Sequence, residues 1–167
     1  MKNNIVLTGF MGSGKSTVGK AIADRLGLDF YDLDIYIEQT QNMKISEIFK
    51  NFGEEHFRNL ETLAAAELSG KSGVVISCGG GTVLRKENVE ILKANGKIFY
   101  LEVDAETVIK RLENDTSRPL LQREDKFEEI TRLLNIRKPI YEVASDYKID
   151  ATCDIKNTVD KIIELSF

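Results

Sequence analysis

Cysteine is nearly absent: the 167 residues contain only Cys78 and Cys153, far apart and with no second cysteine or histidine beside either. Neither a zinc site readable from spacing nor a disulfide scaffold is expected from that pattern. The chain has one histidine, His56, two prolines and no tryptophan. No apolar run exceeds four residues, Ile98 to Leu101 being one, which excludes a transmembrane helix and predicts no membrane partner. Met1-Lys2-Asn3-Asn4 leads directly into a strand-like segment, without the apolar region of a signal peptide. Positive charge is in deficit, 23 basic against 27 acidic residues for a net charge of −4, so nucleic acid is not an expected partner. What remains is an ordinary globular mixture, 42% hydrophobic and 30% charged. It predicts one cytoplasmic domain over residues 1–167, and a monomer is the expected state.

Short apolar runs alternate with segments of helical period. Strands are expected at Ile5-Val6-Leu7, Asp29 to Leu33, Val74 to Ser77, Lys97 to Val103 and Tyr147 to Ala151. One helix follows the first strand and stops at Gly27; others are expected near 54–69, 86–95, 105–113, 127–145 and 156–165. Pro139 falls within the fifth of these and is expected to kink or end it. Such alternation predicts an α/β fold with a parallel sheet covered on both faces and ligands at the strands' carboxyl ends.

After the first strand the chain reads Gly9-Phe10-Met11-Gly12-Ser13-Gly14-Lys15-Ser16-Thr17, the G-x-x-x-x-G-K-[ST] pattern of a P-loop. Backbone N–H groups of Gly12 to Thr17 and the following helix N-terminus suit nucleotide phosphates. Lys15 reaches the β/γ-phosphates, and the Ser16 hydroxyl suits Mg²⁺. No N-K-x-D string for reading guanine occurs, and the length leaves no room for a motor module, so a small-molecule kinase fits best.

Asp32-Leu33-Asp34 closes the second strand, and alternation predicts both carboxylates on one face. Asp32 is the candidate for the Mg²⁺ shell through water, and Asp34 for orienting a substrate hydroxyl and accepting its proton. Five of eight arginines (Arg111, Arg118, Arg123, Arg132 and Arg137) fall within 111–137, where lysine occurs once. That preference suits planar recognition of phosphate or carboxylate. The polar stretch at about 112–126 reads as a lid, with Arg118 stabilising charge on the transferring phosphoryl group. Gly79-Gly80-Gly81, directly after the third strand, suits close approach of backbone to a ligand. Arg58 and Glu61 read as a helical i,i+3 pair, ordinarily a surface salt bridge.

Together, Gly9 to Thr17, Asp32-Leu33-Asp34, Phe57-Arg58-Asn59-Leu60-Glu61, Cys78-Gly79-Gly80-Gly81, Ser117-Arg118-Pro119-Leu120-Leu121 and Arg137-Lys138-Pro139-Ile140-Tyr141 resemble the shikimate kinase family. The resemblance covers nearly the whole chain and places it in the P-loop, nucleoside-monophosphate-kinase-like group. It implies a three-layer α/β/α fold, five parallel strands in the order 2-3-1-4-5, with a substrate-binding helical region at about 34–61. It implies transfer of the ATP γ-phosphoryl group to the 3-hydroxyl of shikimate, with Mg²⁺. Asp34 is then the base. Arg58 and Arg137 clamp the carboxylate, Gly79, Gly80 and Gly81 line the substrate side, and Arg111 flanks adenine. Family members commonly place a polar Gly/Arg/Ser-Pro turn beside adenine. This chain reads Ala151-Thr152-Cys153-Asp154-Ile155-Lys156 instead, which leaves the adenine contacts open. Another small-metabolite kinase, for gluconate or a nucleotide, is the nearest rival; a nucleotide-binding regulatory module without turnover is the more distant one.

Overall fold

The computed structural model describes residues 4–117 and 119–167. Five strands, β1 (Asn4–Thr8), β2 (Asp29–Asp32), β3 (Val74–Ser77), β4 (Gly96–Glu102) and β5 (Tyr147–Asp150), form one sheet in the order β2-β3-β1-β4-β5. Every pairing is parallel, with β1 central: Val6 stands between Ile76 of β3 and Ile98 of β4. The implied topology is therefore the observed one.

Side chains alternate across the sheet and divide the core in two. Ile5, Leu7, Val75, Phe99 and Leu101 enter one layer. It is covered by α1 (Lys15–Leu26), α6 (Ala105–Arg111), α7 (Lys126–Ala144) and α8 (Ile155–Ser166), which contribute Ile22, Val108, Ile130 and Ile162. Val6, Val74, Ile76 and Ile98 enter the other. There α2 (Leu33–Gln41), α3 (Ile45–Phe52), α4 (Glu54–Ser69) and α5 (Lys86–Asn95) supply Ile37, Ile48, Leu68 and Leu92. Each such aliphatic side chain stabilises the fold by about 1.5–3 kcal/mol. Gly27, left-handed at φ 65°, ends α1 by donating its N–H to Ala23 O.

Two local expectations need correction. Strand β2 stops at Asp32 and α2 starts at Leu33, so strand alternation does not place Asp34; the first turn of a helix does. Pro139 does not end its helix, because α7 runs on to Ala144. Proline deprives the Asn135 carbonyl of its helical donor, and both residues are exposed, so water can take the donor's place. Among the described residues no helix is long and apolar enough to cross a membrane.

Candidate active site

The turn from β1 into α1 is wound around glycine. Gly14 precedes the helix at φ 90°, a conformation in which any side chain would be strained. Lys15 opens α1 and folds back over the loop, its Nζ donating to Gly9 O (2.8 Å) and Phe10 O (3.0 Å). Ser13 differs from its neighbours: it is buried, and its N–H donates to Phe10 O at 3.2 Å. The next side chain, Ser16, donates its hydroxyl to Asp32 Oδ2 at 2.7 Å.

Asp32 divides its carboxylate between two tasks. Oδ1 accepts from the N–H groups of Asp34 (3.1 Å) and Ile35 (3.2 Å) and so caps α2, while Oδ2 holds Ser16. The adjacent hydroxyl and carboxylate are hard oxygen donors. They fit a cation such as Mg²⁺, which binds one or two protein oxygens and completes its shell with water and phosphate.

Asp34 faces the glycine triplet. A Cβ on Gly79 would stand 2.7 Å from Asp34 Oδ1, and one on Gly81 would run into the Arg58 guanidinium. A side chain at either position would have to displace Asp34 or Arg58, which gives a reason for glycine at two of the three positions after β3. Arg58, in the second turn of α4, donates to Glu61 Oε2 at 2.6 Å and reaches Glu54 at 3.4 Å. Glu61 is no surface partner: its side chain is 1% exposed, and its Oε1 accepts from Thr82 Oγ1 at 3.0 Å. Burial, the largest single influence, works to lower the Arg58 pKa, but the hydrogen bonds and charges of Glu61 and Glu54 together hold the guanidinium above its ordinary value.

Arg137 enters from α7. Its guanidinium lies over the Phe10 ring, 5.8 Å from the centroid, and one nitrogen comes within 3.5 Å of where a Gly80 Cβ would stand. One helical turn on, Tyr141 donates its buried hydroxyl to Gly80 O at 2.6 Å and pins the glycine loop to the same helix. Lys15, Ser16, Asp32, Asp34, Arg58, the three glycines and Arg137 all line one cavity of about 690 Å³.

A second cavity, of about 610 Å³, lies on the other side of the P-loop and shares Gly12, Gly14 and Thr17 with the first. Arg111 forms its wall by donating to Gly12 O (3.1 Å) and Ala151 O (2.6 Å), joining the P-loop to the β5–α8 turn. Cys153 and Asp154, from the turn that departs from the family pattern, line this cavity too.

Three arginines of the 111–137 cluster therefore part company. Arg118 lies outside the described residues. Arg123 pairs with Asp125 at 2.8 Å, and Arg132 pairs with Glu129; both are exposed and line neither cavity. Exposed pairs of this kind contribute little. Of the described arginines in this cluster, only Arg111 and Arg137 line the two cavities. His56 is exposed with its ring against Phe52. The Cys78 thiol lines the larger cavity, yet burial pushes its pKa up to about 12. The helical region expected at about 34–61 includes α3, but no residue of that helix was singled out for the site, although Ile45 and Phe49 line the larger cavity. The signal was present: Ile45, Ile48, Phe49 and Phe52 recur at i, i+3, i+4 and i+7.

A parallel sheet with a P-loop after its central strand, facing an acid and two inward guanidiniums, defines a P-loop small-molecule phosphotransferase. The family model described as shikimate kinase matches residues 11–166. The "Shikimate kinase" of Caldicellulosiruptor bescii is 49% identical over 138 residues, 83% of this chain and 80% of that protein. That of Thermodesulfovibrio yellowstonii is 49% identical over 147 residues, 88% and 84% of the two chains. Among solved structures, the shikimate kinase of Acinetobacter baumannii in complex with shikimate is 37% identical with a TM-score of 0.90, covering 98% of this chain and 92% of that one. The chain belongs to the shikimate kinase family, and with it to the ATP-dependent kinases.

Proposed function

We propose that the chain transfers the γ-phosphoryl group of ATP to the 3-hydroxyl of shikimate, releasing ADP and shikimate 3-phosphate. One observation carries this reading: Asp34 shares a cavity with two guanidiniums, Arg58 and Arg137, and with the P-loop lysine. A carboxylate beside a secondary alcohol is the chemistry that two arginines and one acid recognise.

Arg58, held by Glu61, and Arg137, held over Phe10, bind the acceptor carboxylate and fix the ring. Asp34 accepts a hydrogen bond from the reacting hydroxyl and takes its proton as the new O–P bond forms and the β–γ bridging bond breaks. Lys15 turns from the loop carbonyls to the β- and γ-phosphate oxygens, while N–H groups of Gly12 to Thr17 and the α1 N-terminus bind the phosphate tail. The base lies in the second cavity against Arg111. Ser16, with Asp32 acting through water, would hold Mg²⁺, which supplies neutralisation of charge on the phosphates. The segment 112–126 acts as the lid over this assembly. Every residue named lies on one chain, so a monomer suffices; we place the enzyme in the cytoplasm.

The test is ADP release measured against a panel of acceptors. Turnover with shikimate and with neither gluconate nor nucleoside monophosphates is expected. Preference for another acceptor would overturn the substrate, and ATP binding without any phosphorylated product would make the chain a regulatory module.

A further inference from the structure

The two guanidiniums of the acceptor cavity are held by different chemistry. Arg58 pairs with carboxylates, Glu61 at 2.6 Å and Glu54 at 3.4 Å. Among the described residues no carboxylate pairs with Arg137, whose guanidinium lies over the Phe10 ring. A ring face attracts a cation without aiming its N–H groups. The backbone aims it less than in an ordinary helix, because Pro139 donates no bond to the Asn135 carbonyl within α7.

Tyr141, four residues beyond Arg137, supplies what the ring face lacks. It is fully buried, with its ring 5.1 Å from that of Tyr100, and its hydroxyl donates to Gly80 O at 2.6 Å. A Cβ on Gly80 would stand 3.5 Å from Arg137 Nη1 and 4.0 Å from Tyr141 Oη, so glycine, guanidinium and hydroxyl meet at one place. Burial pushes the Tyr141 pKa up, and the charge and hydrogen bonding of Arg137 work against it. A phenol that gives its proton to a carbonyl keeps its lone pairs for a donor, and a guanidinium is only a donor.

We propose that Tyr141 is a positioning residue for the phosphoryl acceptor: its hydroxyl fixes the Arg137 guanidinium relative to the Gly80 carbonyl and aims it before the acceptor enters. Being neutral, the hydroxyl directs Arg137 without cancelling its charge, as a carboxylate in its place would. The inference rests on Arg137 binding the acceptor carboxylate, as proposed above.

The test is a double-mutant cycle in steady-state assays with shikimate and ATP, with thermal unfolding to check that each variant folds. Tyr141→Phe, which keeps the ring, should raise the KM for shikimate about five- to tenfold and leave kcat and the KM for ATP within about twofold. In the Arg137→Ala background the same change should alter the shikimate KM by less than about twofold, because the hydroxyl acts through the guanidinium. Tyr100→Phe removes a hydroxyl from the neighbouring ring and should leave both KM values within about twofold. A readout that needs no variant is NMR of the Arg137 guanidinium nitrogens in the acceptor-free protein, where slow rotation of the group is expected. An unchanged shikimate KM in Tyr141→Phe, a fully additive loss in the double variant, an equal loss in Tyr100→Phe, or free rotation of the guanidinium would each overturn the proposal. A shikimate KM unchanged in Arg137→Ala would instead overturn the clamp itself, and the proposal with it.

Discussion

The two cavities astride the P-loop are built differently. On the Asp34 side, most polar side chains are fixed by other side chains, Arg58 by the buried Glu61, Glu61 by Thr82 and Ser16 by Asp32, with Lys15 on loop carbonyls the exception. On the Arg111 side, the one guanidinium is fixed by main-chain carbonyls, of Gly12 and Ala151. Backbone contacts survive changes of residue identity, whereas a chain of paired side chains does not. The first cavity is thus specified by sequence in detail, and the second mainly by the path of the chain. This accounts for a β5–α8 turn that departs from the family pattern without altering the fold around it.

The sharpest way to break this contrast is Asp34→Asn. It should lower kcat by about 10²–10⁴-fold with ATP affinity nearly unchanged, and near-normal turnover in a steady-state assay would remove the proposed base. Next comes Gly79→Ala, whose new methyl would stand 2.7 Å from Asp34 Oδ1. Displacing that oxygen should cost about 10²-fold in kcat, and an unchanged rate would show the close approach to be incidental. Arg137→Ala should raise the KM for shikimate by roughly 30-fold or more while sparing that for ATP; equal losses for both ligands would erase the division between the cavities. Arg111→Ala should do the converse more weakly, raising the KM for ATP by about two- to tenfold. The smallest effect concerns the thiols. With its pKa near 12, Cys78 is protonated at all ordinary pH values, so its thiolate forms only as pH rises toward 12. Native protein at pH 8 should release one equivalent in a thiol titration, from exposed Cys153, and ATP should slow that release. Rapid reaction of Cys78 would contradict its burial.

The sheet was readable because its signals are local. Val74 to Ser77 is apolar and β-branched, and the observed β3 has those bounds; likewise α4 ends where its stripe meets Gly70. That the P-loop, Asp32 and Asp34 gather at one cavity was readable from their positions after β1 and β2, although a helical turn and not strand alternation places Asp34. Glu61 was not readable. Its burial depends on Thr82, 21 residues away, and on the closeness of Gly81 to Arg58, neither of which leaves a mark near residue 61. The same holds for Arg111, whose partners lie 99 and 40 residues distant. Pro139 is a different case: of the kink or end expected there, the end does not occur, because α7 continues past it and the affected carbonyl is exposed.

The divided carboxylate of Asp32 has a further consequence. The oxygen that caps α2 and the oxygen that holds Ser16 move as one rigid group, and Asp34 occupies the first turn of that same helix. A drift that retuned cation preference at this position would loosen the cap and unseat the neighbouring acid together. The proposed cation position, the helix start and the proposed proton acceptor are thereby coupled in inheritance, and none of them is open to selection alone.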